Sequence, residues 1–300
     1  MNNERFCVST WAVHSVLGQT YPDTPGDPSR ASVAPAGPGA LSLLELPARI
    51  AALGFGRMEL CHFHLPSRDP AYLAELRAAL ADANVELWAL LIDDGDITHP
   101  EYHARDAAWI GGWLDVAGTL GARRARIIAG KQPPGESSNA LSRAHLRELA
   151  AHAQSVKVRP MTENWFAFLP APPNVLSLLD DLNGALGLCV DWGNWNNNAD
   201  KYADLAAIFE RGESCHAKCD FDAAGTPNVA DYSRRLDLAR AADYTGPFTL
   251  VATQPNAPWD GLTLQRDLLA GHLSRTAVFS EDFMADRQQP GPQEREELFP

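Results

Sequence analysis

The sequence predicts an α/β protein of the (β/α)8, or TIM-barrel, class. It is read as one domain over residues 1–283, with a long loop after strand one and a flexible polar tail over residues 284–300. Three observations carry the prediction. Short apolar runs alternate with helical stretches in about eight strand-plus-helix units, and 300 residues suffice for one such barrel. Polar or titratable residues follow many of the apolar runs, as they do where barrel strands converge on one face. No Gly-x-Gly-x-x-Gly turn follows the first run, which argues against an open doubly wound sheet with one switch point.

Arg5–Thr10 reads as strand one, with Trp11 and His14 at its exit. Gly18–Ala40 is rich in Pro, Gly, Ser and Asp, too broken for a helix, and reads as an extended loop over the barrel mouth. Leu41–Leu53 has helical apolar spacing and stops at Gly54. Arg57–Cys61 is strand two, followed by His62 and His64. Asp69–Asn84 is helical, with Pro70 in its first turn. Val85–Ile92 is continuously apolar, as a parallel strand covered on both faces should be, and stops in Asp93-Asp94-Gly95-Asp96. Glu101–Leu120 is a helix closing on Gly121, and Ala125–Ala129 is strand four, followed by Gly130 and Lys131. Ser137–Gln154 is the next helix. Strands five, six and seven end at Glu163, at Asp191 and near His216. Asn228–Ala242 is helical, Phe248–Ala252 is strand eight, and Asp260–Leu273 is the last helix. From Met284 to Pro300 Gln, Pro and Glu dominate, and little order is expected.

Composition narrows the partners. The formal net charge of −13 argues against a nucleic-acid backbone or an anionic membrane surface. No apolar run approaches the ~20 residues of a membrane span. The N-terminus has no basic region followed by an apolar one, so no secretory signal is expected. The five cysteines are odd in number and irregular in spacing, and four lie in strand-like runs. A reduced, cytoplasmic location with Cys7, Cys61 and Cys189 in the core is the simpler reading. Cys215 and Cys219 flank His216, but no second Cys pair supports a zinc site there.

Glu163, Asp191 and His216 stand at the same place in three successive units. One polar strand end is unremarkable; three together suit a divalent cation held by two carboxylates and an imidazole. Lys131 and Lys218, two of only four lysines, sit just past strands four and seven, where they would polarise or bind substrate oxygens. His62 and His64 alternate, so on an extended segment they would point the same way, toward substrate hydroxyls or a second cation. Trp11, Trp165, Trp192 and Trp195 cluster near strand ends, and Trp11 and Trp165 are candidates for an aromatic wall against a sugar's C–H face. His14, Asp93 and Asn194 are further candidates for substrate contact.

The runs Thr162-Glu163-Asn164-Trp165, Val190-Asp191-Trp192-Gly193-Asn194-Trp195 and Ser214-Cys215-His216-Ala217-Lys218 resemble those of the sugar phosphate isomerase/epimerase family, the xylose-isomerase-like barrels. The likeness extends to Glu59–His64, Ile92–Pro100 and Ile128–Pro134, and so covers most of residues 5–273. It implies a divalent cation, Mn²⁺ first and otherwise Mg²⁺, Co²⁺ or Zn²⁺, held by Glu163, Asp191, His216 and a second Glu after strand eight. It also implies that glutamates move the proton next to a carbonyl. This sequence departs from that pattern at strand eight. Around the expected position stand Thr253 and Gln254, a neutral hydroxyl and a neutral amide, neither of which is a base near neutral pH.

The expected function is therefore a metal-dependent isomerase or epimerase acting on a small sugar, polyol or keto compound. Glu163 would be the base, and Lys218 or a bound water the group returning the proton. The missing acid keeps two other readings open: a lyase or dehydratase that needs only one good base, and a barrel that binds sugars or a partner without turnover. Self-association into a homo-oligomer also stays open.

Overall fold

In the computed structural model, the described residues are 5–27, 32–34, 37–251, 253, 254 and 256–282, with backbone alone from 275 onward. Eight strands close into a parallel barrel in sequence order: β1 (Phe6–Ser9), β2 (Arg57–Cys61), β3 (Glu86–Leu91), β4 (Arg124–Arg126), β5 (Arg159–Glu163), β6 (Gly187–Asp191), β7 (Gly212–His216) and β8 (Phe248–Leu250). β8 returns to β1, pairing Cys7 with Thr249. The helices are α1 (His14–Leu17), α2 (Leu46–Ala52), α3 (Pro70–Asp82), α4 (His103–Leu120), α5 (Glu136–Ser155), α6 (Pro172–Asp181), α7 (Lys201–Phe209), α8 (Val229–Ala241) and α9 (Pro258–Asp282). None among the described residues is long and apolar enough to cross a membrane.

Two apolar clusters follow from strand alternation. The larger lies between the barrel's outer face and the helices, with Leu60, Leu90, Val190 and Phe248 from the strands meeting Ile50, Leu76, Trp113 and Leu236. The smaller fills the barrel interior with Cys7, Cys61, Trp88, Ala89, Leu91, Met161 and Cys189. Interior polar groups touch across the barrel: the Trp88 indole on β3 donates to Ser214 Oγ on β7 at 3.1 Å. At the amino-terminal end, Arg124 and Arg159 close on Glu213, and Trp88 is flanked by the guanidiniums of Arg57 and Arg124.

Several expected boundaries move for local reasons. The helix read from Leu41 starts at Leu46, because Pro47 has no N–H to give to a preceding turn. Ser42 instead donates its N–H and hydroxyl to Glu45 Oε2 in a separate turn. β4 stops at Arg126 rather than Ala129. Beyond it, side chains take the carbonyls, Thr162 bonding that of Ile127 and Ser142 that of Ala129. β8 stops at Leu250, and Ala252 and the tail over 284–300 lie outside the described residues. The described part of Gly18–Ala40 is irregular apart from an isolated bridge between Thr20 and Val33.

Two glycines of α4 test the packing of this helix on its neighbour. A Cβ at Gly118 would stand 2.8 Å from Val156 Cβ and 2.9 Å from its carbonyl oxygen, whereas one at Gly112 meets nothing within 4 Å. Gly118→Ala should lower stability by roughly 1–3 kcal/mol through overpacking. Gly112→Ala should raise it by roughly 0.5–1 kcal/mol through helix propensity. Urea unfolding of both variants measures this, and equal shifts of one sign would contradict the packing described.

Candidate active site

Glu163, Asp191 and His216 are the last residues of β5, β6 and β7, and all three are buried. Parallel pairing sets Asp191 beside His216, and a two-point bond fixes β5 to β6. Asn164 donates its amide to the Asp191 carbonyl at 2.9 Å and accepts the Asp191 N–H at 2.8 Å. His216 Nδ1 lies 3.3 Å from Asp191 Oδ2 and 3.5 Å from Glu163 Oε2. Its Nε2 faces Glu59 Oε2 on β2 at 2.8 Å. Asn194 donates to Glu163 Oε1 at 2.5 Å, and Lys218 Nζ sits 2.6 Å from Asp191 Oδ2 and 3.0 Å from Asn194 Oδ1. Arg126 completes the group. Its guanidinium is ion-paired to Asp93, its Nε lies 3.0 Å from Glu163 Oε2, and it reaches the Ile92 carbonyl.

The electrostatics follow from these contacts. Burial opposes a charged imidazole at His216. Cys189, Glu59, Glu163 and the bond to Asp191 outweigh it, and its pKa rises well above the ordinary histidine range. Burial likewise opposes ionisation of Asp191, yet Lys218 and His216 hold its carboxyl well below the usual carboxylate range. Lys218 loses solvation too, but Asp191 and Glu163 raise its pKa. Asp93, despite burial, is held down by Arg126, His62 and the Trp11 indole.

The sequence profile described as Xylose isomerase-like TIM barrel matches residues 47–261, most of the chain. The chain belongs to that family. A search of curated proteins by sequence finds no match. Among solved structures, an L-ribulose 3-epimerase is similar at a TM-score of 0.69 and 15% identity, covering 96% of this chain and 100% of its own. A D-psicose 3-epimerase studied with D-fructose gives 0.64 and 14%, over 91% of this chain and 99% of its own. A xylose isomerase-like TIM barrel protein from Mycobacterium smegmatis in complex with magnesium gives 0.57 and 18%, over 77% and 89%. At these identities the likeness is one of fold.

Within this xylose isomerase-like barrel the other expected site residues divide. The Trp11 indole donates to Asp93 Oδ2 at 2.6 Å. Lys131 Nζ lies 2.5 Å from Asp94 Oδ1. The Trp165 ring lies under the Arg126 guanidinium, 5.0 Å from centroid to Cζ, and stacks on Phe166 at 4.2 Å. Trp192 and Trp195 are buried and seal the core. His62 and His64 do not alternate on an extended segment, because the chain turns into a single 3-10 turn at His62–His64. His62 is wholly buried against Trp109 and Trp113, its Nε2 3.1 Å from the Asp23 carbonyl and its Nδ1 accepting the Asp93 N–H at 3.0 Å. That places it behind Asp93 rather than in the cavity. His64 packs against Trp11, 2.9 Å from His14 and 2.8 Å from Thr10 Oγ1. Thr253 donates to the Pro258 carbonyl at 3.1 Å, and Gln254 to that of Gly225. Both are thus tied to nearby backbone. In β8 Thr249 pairs with interior Cys7, and none of Phe248, Thr249 and Leu250 is an acid.

Glu59 and Arg126 escaped the sequence reading. Their one signal is a charge within a strand-like run, Glu59 in β2 and Arg126 at the end of β4. Cys189 escaped it as well: its donor atom, with one each from Glu163 and His216, forms a group lying within 4.8 Å of one another. Burial pushes the Cys189 thiol up to about 11. The donor set fits a divalent cation. Glu163 Oε2 is buried and, apart from its ion pair with Arg126, has no aligned hydrogen bond; His216 Nδ1 lies 3.5 Å from it and 3.3 Å from Asp191 Oδ2, so two carboxylates meet at one imidazole. With His216 neutral, such an ion together with Arg126 and Lys218 would balance Glu59, Asp93, Glu163 and Asp191.

His64 makes a pH prediction. Burial, reinforced by the neighbouring His14, lowers its pKa from 6.5 to about 3. The unfolded chain takes up this proton near pH 6.5 and the folded chain only near 3, so stability is full above the first value and falls toward the second. His64→Gln should flatten the slope of unfolding free energy between about pH 6 and about pH 4 by up to about 1.4 kcal/mol per unit. Chemical denaturation across that range measures it, and identical slopes in the two proteins would exclude the assignment.

Proposed function

We propose that the chain is an enzyme of the sugar isomerase or epimerase type. It moves a proton next to a carbonyl on a small polyhydroxylated substrate. The observation that carries this reading is the convergence of Glu163, Asp191 and His216 at the carboxyl ends of β5, β6 and β7, with Asn194 and Arg126 fixing both oxygens of Glu163. The named relatives, an L-ribulose 3-epimerase and a D-psicose 3-epimerase, support the same class of reaction.

Glu163, Asp191 and His216 would hold a divalent cation, Mn²⁺ first, which supplies Lewis-acid polarisation of a carbonyl and an adjacent hydroxyl. Glu163 removes the proton alpha to the carbonyl. Asn194, donating to Oε1, keeps that carboxylate turned toward the cavity. Lys218, partly buried and charged, returns the proton from the same side as Asn194. Trp11 and Trp165 present apolar ring surface to the substrate's C–H face, Asp93 anchors the Trp11 indole from within, and Lys131 stands at the rim for the substrate's hydroxyls.

One observation favours a second reading. β8 offers Thr249 inward and no acid, so a second carboxylate facing the reacting carbon is lacking from that strand. A dehydration or other lyase reaction needs one base and a stabilised enolate, which Glu163 and the cations around it provide. A thermal-shift panel of sugars, ketoses and polyols with and without Mn²⁺ identifies the ligand. Incubation with it in deuterated water then separates the readings. An epimerised product containing deuterium supports the first, and loss of water the second.

Glu163→Gln tests both at once. The fold should persist, while turnover falls by ~10²–10⁴-fold for want of a positioned base. Full activity and unchanged metal content in Glu163→Gln would remove Glu163 from the site.

A further inference from the structure

The two oxygens of Asp191 have separate partners. Oδ1 accepts the backbone N–H of Gly193 at 2.7 Å and that of Asn194 at 2.9 Å. Oδ2 faces Lys218 Nζ at 2.6 Å and His216 Nδ1 at 3.3 Å. Oδ1 is therefore committed to the turn that follows β6, and Oδ2 is the oxygen a metal ion would have to use. It is also the oxygen that the ammonium holds.

Lys218 is built into this place. Its carbonyl accepts the Trp192 indole N–H at 2.6 Å, which fixes the backbone from which the side chain springs. Its stem passes close over Gly193. A Cβ at that residue would stand 2.5 Å from Lys218 Cδ and 3.5 Å from Lys218 Cβ, so only glycine leaves the stem its path. Asn194 Oδ1 then holds Nζ from a second direction at 3.0 Å. The other cation of the site differs: the Arg126 side chain is 3% exposed and locked between Asp93 and Glu163, whereas that of Lys218 is 28% exposed and has room to move.

We propose that Lys218 is a tethered competitor for the cation: its ammonium occupies Asp191 Oδ2 until a divalent ion displaces it, and the displaced side chain turns to the substrate. This rests on the reading that Glu163, Asp191 and His216 hold such an ion. An ammonium and a divalent ion on one carboxylate oxygen repel strongly in a buried site, so the two exclude each other. The lysine thus becomes a proton donor to substrate only in molecules that already hold the ion. The ion's apparent affinity is reduced by the fraction of molecules in which the lysine has let go.

The test uses the full chain stripped of metal, with Mn²⁺ as the probe. Lys218→Met keeps the length of the stem without its charge, and should tighten Mn²⁺ binding by about tenfold or more in a titration followed by the resonance of free Mn²⁺. Lys218→Arg keeps a cation on Oδ2 and should not tighten it. In the unmodified protein, an amine-reactive ester and peptide mass spectrometry compare labelling of Lys218 with that of the exposed Lys157. Saturating Mn²⁺ should speed labelling of Lys218 several-fold relative to Lys157. Binding by Lys218→Met alone supports the proposal as well. Equal affinities in the unmodified protein and Lys218→Met, or labelling that Mn²⁺ leaves unchanged, overturn it while the metal reading stands. Absence of Mn²⁺ binding in all three proteins overturns both.

Discussion

Arg126 carries a full positive charge inside the barrel, and much of the site is arranged to make that tolerable. A guanidinium removed from water needs close anions, and Asp93 and Glu163 supply them from the flanking strands. Leaving either anion buried alone would cost about 3–5 kcal/mol, so each is tied to the other through the arginine. Asp93 is held in turn by the Trp11 indole, and its N–H by His62. His62 reaches the Asp23 carbonyl, and the Asp23 carboxylate takes the Arg68 guanidinium and the Trp109 indole. A continuous set of polar contacts thus runs from the loop after β1 to the carboxylate of Glu163.

That set explains which parts of the site were legible in the sequence. Glu163, Asp191 and His216 each end an apolar run, and a barrel puts strand ends on one face, so their meeting could be read from position. Glu59 lies in the middle of β2, and Arg126 ends β4 but falls inside the longer apolar run that follows it in sequence. A parallel strand is buried on both faces, so its pattern does not mark which residues point inward, and a single charge there has no visible partner. Their partners lie across the barrel, His216 for Glu59 and Glu163 for Arg126, at sequence distances that no local pattern spans. His62 and His64 misled for the opposite reason: their spacing is that of a strand, but the chain leaves β2 one residue earlier and coils. Strand eight was anticipated in place but not in register. β8 is only three residues long and ends at Leu250, and Thr253 beyond it gives its hydroxyl to the Pro258 carbonyl.

The family fold and the site are thus related unequally. The barrel follows the xylose isomerase-like pattern, and Glu163, Asp191 and His216 end three of its successive strands. The surroundings of those donors do not depend on strand eight for charge: arginine, lysine and histidine already face the carboxylates. At 14–15% identity to the solved L-ribulose 3-epimerase and D-psicose 3-epimerase, what persists is the scaffold.

The barrel's sulfur content has a consequence for how the molecule opens. All five cysteines are buried, and burial raises the pKa of each thiol. Cys7, Cys61 and Cys189 line the barrel interior on β1, β2 and β6, whereas Cys219 lies in the connection after β7. A thiol reagent in neutral solution therefore meets no ready thiolate while the barrel is closed. Modification at Cys219 alone reports the parting of one loop, and modification at Cys7, Cys61 and Cys189 reports separation of the strands themselves. The protein carries its own set of internal clocks, which distinguish local breathing above the site from global unfolding without any added label.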